Sequence, residues 1–173
     1  VDEDGNDEFW PYLRDETTLA RPWAIPGTPG LMHRVGGLEK ADGTGNIDYT
    51  PDNHEKMVHL RADKIAAIAA DIPPTQLNGD ADADVLVLGW GSTWAAIDAA
   101  VQRSHRVGKS VASAHIMHLN PLPSDLGDIV RRHKRVIVPE LNLGQFTQLI
   151  RSTFLVDAKA LTKVQGMPFK SRE

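Results

Sequence analysis

The stretch "VLVLGWGSTWAAIDAA", residues 85–100, is an apolar run broken by Gly-x-Gly and restarted at helical spacing. Backbone N–H groups at such a strand-to-helix turn can hold a phosphate, so dinucleotide binding is the first chemistry to test. The third glycine, which would let helix and strand approach closely, is replaced by Trp94. The acid that should hold the ribose hydroxyls is also missing, because residues 99–124 contain no Asp or Glu. A Gly-x-Ser-x-Gly nucleophile elbow fails too, since Trp90 and Trp94 stand at its glycine positions. The residues fit a tight strand-to-helix turn.

Metal chemistry fares no better. His54 and His59 in "HEKMVH" are five residues apart. On a helix that rotates them by about 140°, so they cannot share one metal. His115 and His118 are three apart on a predicted strand, where an odd spacing sends side chains to opposite faces. In "KADGTGNID" (40–48) a calcium loop would need carboxylates where Lys40 and Pro51 stand. No catalytic or metal-binding residue is expected from these patterns.

Composition narrows the class further. The absence of cysteine excludes disulfides, a Cys-ligated zinc site and an iron–sulfur cluster within this chain, and it suits a cytoplasmic protein. No apolar run approaches the ~18 residues of a membrane span. Residues 1–16 carry seven acids against Arg14 alone, so the net charge of −4 leaves the remainder at +2. That gives no broad basic field for nucleic acid. The dense run "RRHKR" (131–135) reads as the cationic end of a helix. A chain that starts at Val1, without an apolar leader, reads as a trimmed product or part of a longer polypeptide.

These residues must be positioned by three stretches of different character. Residues 1–50 are rich in turn formers ("PGTPG", "GG", "DGTGN") and read as irregular chain lying on another surface. Residues 52–72 read as a helix started by Thr50 and Pro51, stopped by Pro73, with Val58, Ile65, Ile68 and Ile72 as its apolar stripe. Residues 73–84, "PPTQLNGDADAD", read as a linker.

From Val85 strand and helix alternate. Strands are predicted over 85–90, 110–119 and 135–141, helices over 92–108, 123–134 and 144–156, and a short last strand over 161–166. Ser92 is the expected N-cap of the first of these helices. Successive β-α units imply an α/β fold in three layers, a mostly parallel sheet with helices on both faces. In such a sheet all strand-to-helix loops emerge at the carboxyl edge. Gly91, Ser92, Thr93, His118, Asn120, Glu140, Asn142 and Gln145 should therefore share one rim, as helix caps, domain contacts or a small-molecule site.

Taken together, "VLVLGWGSTWAAIDAAV", "HIMHLNPLP" and "RVIVPELNLGQFTQLIRSTFLVDA" resemble the C-terminal domain of 2-oxoacid:ferredoxin oxidoreductase α subunits, especially the 2-oxoglutarate type. Upstream, Pro11-Tyr12 with Arg14-Asp15, "ARPWAIPGTPGLMHRVGGLEK" and "DNHEKMVHLRADKI" resemble the stretch before that domain, with Lys40 where the family pattern has His. The resemblance implies residues 1–72 as the tail of the pyrimidine-side thiamine domain and 85–173 as a transketolase C-terminal-like domain. It further implies an enzyme that oxidatively decarboxylates a 2-oxoacid to acyl-CoA with thiamine diphosphate and magnesium. Electrons then leave through iron–sulfur centres to ferredoxin. The implied partners are the rest of the α subunit and the β subunit, which carries the diphosphate site and a cluster. The family's thiamine-ring turn, of the Tyr-Pro-Ile-Thr-Pro kind, is not among these residues, so the segment alone is expected to bind no cofactor and catalyse nothing. The other reading is a free-standing nucleotide- or acyl-CoA-binding module built on the Gly89–Thr93 loop with Arg106 and Lys109.

Overall fold

The structure, a computed structural model, describes residues 8–173, in two compact units: the first ends at Ile68, the second is Ala69–Glu173. In the first unit, irregular chain is held by two isolated antiparallel bridges, Tyr12↔Gly43 and Lys40↔Ile47. Helix α1, Pro51–Ala67, begins with proline at its first position and runs on into a 3₁₀ turn at Ile68–Asp71. Lys40 is only 3% exposed, and its ammonium donates to the carbonyls of Gly36 (2.8 Å) and Leu38 (2.6 Å). It thereby closes the Gly-rich turn from inside.

The apolar stripe of α1 is not where its sequence placed it. Met57 is the buried residue, while Val58, Ile65 and Ile68 are 43%, 40% and 43% exposed. The irregular chain grips α1 through Asn53 on the Lys40 carbonyl and through His54 and Arg61 on Glu39. Those bonds, His54 first and Arg61 second, hold the Glu39 carboxyl below its ordinary range. His59 meets Glu55 at 3.8 Å, so the two histidines of "HEKMVH" have separate partners.

The second unit is one five-stranded sheet in the order β1-β3-β2-β4-β5, with β1 Leu77–Asn78, β2 Val85–Trp90, β3 Val111–Ile116, β4 Arg135–Glu140 and β5 Lys159–Thr162. All neighbours are parallel except β1, which is antiparallel to β3 with Leu77 opposite Ala114. Three helices follow: α2 Trp94–Arg106, α3 Leu126–Arg132 and α4 Gln145–Phe154. The α/β reading holds, with elements shorter than the periodic segments. Helix α3 starts at Leu126 and not at Pro123, and the last strand lies at 159–162.

Strand order dictates where the helices go. From β2 the chain crosses one way to β3, and from β3 it returns past β2 to β4 and β5. With right-handed crossovers, α2 falls on one face and α3 and α4 on the other. Leu86, Leu88, Val136 and Val138 accordingly join Leu126, Ile129, Val130, Phe146 and Ile150 in the core. Leu86 and Leu88, both fully buried, each contribute about 2–3 kcal/mol of apolar burial.

Residues 73–84 are not the free linker their composition suggested. Leu77 packs against the core, Ala83 is buried, and two residues join the sheet. Thr75 is tied to the turn before α3, its N–H and hydroxyl each 2.8 Å from the Asp125 carboxylate. Asp125→Ala should remove both bonds at a cost of about 1–2 kcal/mol. Amide exchange at Leu77 and Asn78 should then speed up roughly tenfold relative to β2. Unaltered exchange there would show that Leu77 packing alone holds the segment.

Candidate functional site

The carboxyl-edge rim forms where β2 and β4, neighbours in the sheet, send their loops in opposite directions. That divergence is the switch point at which open α/β sheets usually place ligands. Here the Trp90 and Phe146 rings close it, tilted at 56° with centroids 6.1 Å apart.

Three of the eight rim residues expected from sequence are consumed in holding the loops. The Thr93 hydroxyl donates to the Trp90 carbonyl at 2.8 Å and accepts the Trp90 N–H at 3.2 Å. Asn142 accepts the Gly144 N–H through Oδ1 at 2.7 Å. Glu140 is fully buried and accepts the N–H groups of Phe146 and Thr147, both at 2.9 Å, and the Thr147 hydroxyl at 2.7 Å. Burial pushes the Glu140 carboxyl up. Bonds from the Thr147 hydroxyl and N–H, the Phe146 N–H and Asn142 outweigh it and leave the group below the ordinary carboxylate range. Glu140 is thus an ionised cap for α4, whose own N-cap, Gly144, has no side chain to offer.

The other five rim residues, Gly91, Ser92, His118, Asn120 and Gln145, are exposed. His118 lies beyond the end of β3, and Asn120 precedes a cis bond to Pro121. His115 sits on β3 beneath the loop, where burial lowers its pKa against a smaller opposing pull from the Gly91 carbonyl. The expected cap at Ser92 is corrected. A 3₁₀ turn, Gly91–Thr93, precedes α2, and the bonds of that turn belong to Thr93. Thr93→Val should cost about 1–2 kcal/mol in a denaturant melt, and Ser92→Ala less than about 0.5 kcal/mol. The reverse order would restore Ser92 as the cap.

The geometry also separates the parts of a nucleotide module. Arg106 ends α2 and Lys109 follows it, while Gly89–Thr93 lies at its start, so the helix of 13 residues intervenes. That is about 20 Å of rise. Gly89 presents no open backbone either, because the space beside its Cα is filled by the Ile97 side chain. Among the described residues no three His, Asp or Glu groups converge to hold a metal ion, and no helix is long and apolar enough to cross a membrane.

A mostly parallel sheet with helices on both faces, and a rim in which Thr93, Glu140 and Asn142 are bound into their own loops, defines an α/β segment. No protein-family model matches the chain. It is 49% identical over 166 residues to the 2-oxoglutarate oxidoreductase subunit KorA of Mycobacterium tuberculosis, covering 95% of this chain and 25% of that protein. It is 30% identical to subunit alpha of the 2-oxoacid:ferredoxin oxidoreductase 1 of Aeropyrum pernix, covering 92% and 26%. A solved 2-oxoglutarate:ferredoxin oxidoreductase from Magnetococcus marinus, with 2-oxoglutarate, coenzyme A and succinyl-CoA bound, superposes with a TM-score of 0.86. That pair shares 32% identity over 98% of this chain and 30% of the other. Over almost its whole length the chain is similar to a C-terminal part of 2-oxoacid:ferredoxin oxidoreductase α subunits. It spans about a quarter of the length of these two curated relatives.

Proposed function

We propose that this chain is a framework segment of the α subunit of a thiamine-diphosphate-dependent 2-oxoglutarate:ferredoxin oxidoreductase, and that it supplies contacts, not catalytic groups. The observation that carries the reading is the match itself: almost the whole chain aligns at 49% identity, but to only a quarter of its relative. The first unit supports it. Trp23, Ile25, Met32 and Val35 are 94%, 70%, 92% and 83% exposed, an apolar surface that suits the remainder of the α subunit. The residues present do not fit the family's cofactors. With no cysteine there is no thiolate ligand for an iron–sulfur cluster, and among the described residues no carboxylate trio stands ready for the magnesium of the diphosphate. Those groups belong to the rest of the complex, with the β subunit as the direct partner.

Calorimetric titration of the isolated chain with thiamine diphosphate and magnesium should give no saturable heat. The full-length α subunit assembled with its β partner should reduce ferredoxin in the presence of 2-oxoglutarate and coenzyme A. Stoichiometric micromolar binding by the chain alone would overturn the framework reading.

A further inference from the structure

In the second unit, one half of the sheet lacks its second covering layer. Helices α3 and α4 both occupy one face, so on the other face α2 stands alone and β4 and β5 have no helix above them. Parallel sheets are otherwise covered on both sides, because their connections bring helices to each face. The sheet surface there is apolar, formed by the partly buried Val85, Val87 and Ile137, the buried Pro139 and the exposed Leu161, and it floors a hollow of about 650 Å³. Leu161 remains 39% exposed. The strands that make the floor are four to six residues long. That length is about 13–20 Å, the span of a helix of roughly ten residues.

The walls of the hollow are predominantly cationic. Arg103 and Lys109 border it from α2 and the following turn, and Lys170 and Arg172 from the C-terminal segment. The one carboxylate among the lining residues, Glu173, is already held by Lys163 at 2.8 Å. The C-terminal segment lies along the margin, with Ser171 accepting from Arg103 at 3.3 Å and Phe169 under the Lys163 ammonium. An apolar floor between four cations that have no ion-pair partner among the described residues fits an amphipathic helix that carries acidic residues along both edges of its apolar stripe.

We propose that this face is a docking surface for such an acidic amphipathic helix, supplied by another part of the oxidoreductase assembly. The proposal rests on the framework reading above. The occupant completes the missing layer, with its stripe on Val87, Ile137 and Leu161 and its carboxylates on the cations of the two walls.

The test uses the full-length α subunit assembled with its β partner, carrying p-benzoylphenylalanine in place of Leu161 or, separately, of Trp23. After irradiation, peptide mapping should place the Leu161 cross-link in a helical segment whose apolar stripe is flanked by Asp or Glu. Lys109→Glu combined with Lys170→Glu should lower its yield about tenfold and leave the Trp23 cross-link unchanged. A Trp23 cross-link with none from Leu161 would overturn the docking surface and leave the framework reading standing. A Leu161 cross-link into a basic or irregular segment, or into the same face of a second copy, would also overturn it. Failure of the subunits to assemble at all would remove the framework reading and the docking surface together.

Discussion

Glu140→Ala should cost the chain about 3–5 kcal/mol of folding stability, the scale of removing one partner from a buried, charged hydrogen-bond network. The carboxylate lies at the end of β4 with no exposed surface, and it binds three donors at the start of α4. Truncation leaves the N–H groups of Phe146 and Thr147 buried without acceptors and opens a void beside Phe146. Glu140→Gln keeps the volume but turns one of the two acceptor oxygens into a donor facing a donor. It should fall between wild type and Glu140→Ala. Because the folded carboxyl titrates below its unfolded value of about 4.3, its contribution is fully present above that pH. It drains away as the pH falls through the folded value. Urea melts between pH 7 and pH 3 should therefore show the wild type losing stability more steeply than Glu140→Gln. Parallel pH curves for the two proteins would mean that Glu140 is not ionised in the fold.

That cap shows where reading the sequence stops. A side-chain N-cap is recognised by an acceptor within about three residues of the N–H groups it serves. Glu140 reaches Phe146 and Thr147, six and seven residues ahead, across a loop whose path only the fold defines. The available signal was indirect: an acid ending the apolar strand "VIVPE", before a helix whose N-cap is glycine. Strands β2, β3 and β4 were legible, because β-branched and apolar runs of six residues admit few other readings. Strand β1 was not, because two residues carry no period and its antiparallel pairing with β3 is a tertiary fact. The stripe of α1 misled for a related reason. Periodicity shows that a helix has an apolar side, and only a partner decides which side is covered; within its own unit α1 buries Met57. The rim at the carboxyl edge followed from topology alone, whereas the division between consumed and free side chains required the hydrogen bonds.

The two glycines of the β2–α2 turn should respond differently to substitution, and Gly89 should be the less tolerant. Gly89 lies in the strand, and a Cβ there would overlap the Cδ1 atom of Ile97 and stand 3.0 Å from the Thr93 hydroxyl and 3.3 Å from His115 Nδ1. Ile97 is only 7% exposed, and the Thr93 oxygen is fixed by its two bonds to Trp90, so neither neighbour yields freely. The close approach of helix to strand that a third glycine would serve in a dinucleotide fold is met here by Gly89 itself. Gly89→Val should cost about 3 kcal/mol or more, at the upper end of overpacking, and Gly89→Ala about 1–3 kcal/mol. Gly91 has open space around its Cα, but its φ of +58° is one that side chains rarely adopt. Gly91→Val should therefore cost about 1–3 kcal/mol through backbone strain alone. Gly91→Asn should recover much of that, because Asn tolerates the left-handed region. No such rescue is expected at Gly89, where Asn is as bulky as Val. Denaturant melts of the five variants, Gly89→Asn included, separate strain from overlap. If Gly89→Asn were as stable as Gly91→Asn, the tight contact between α2 and β2 would not be what the glycine serves.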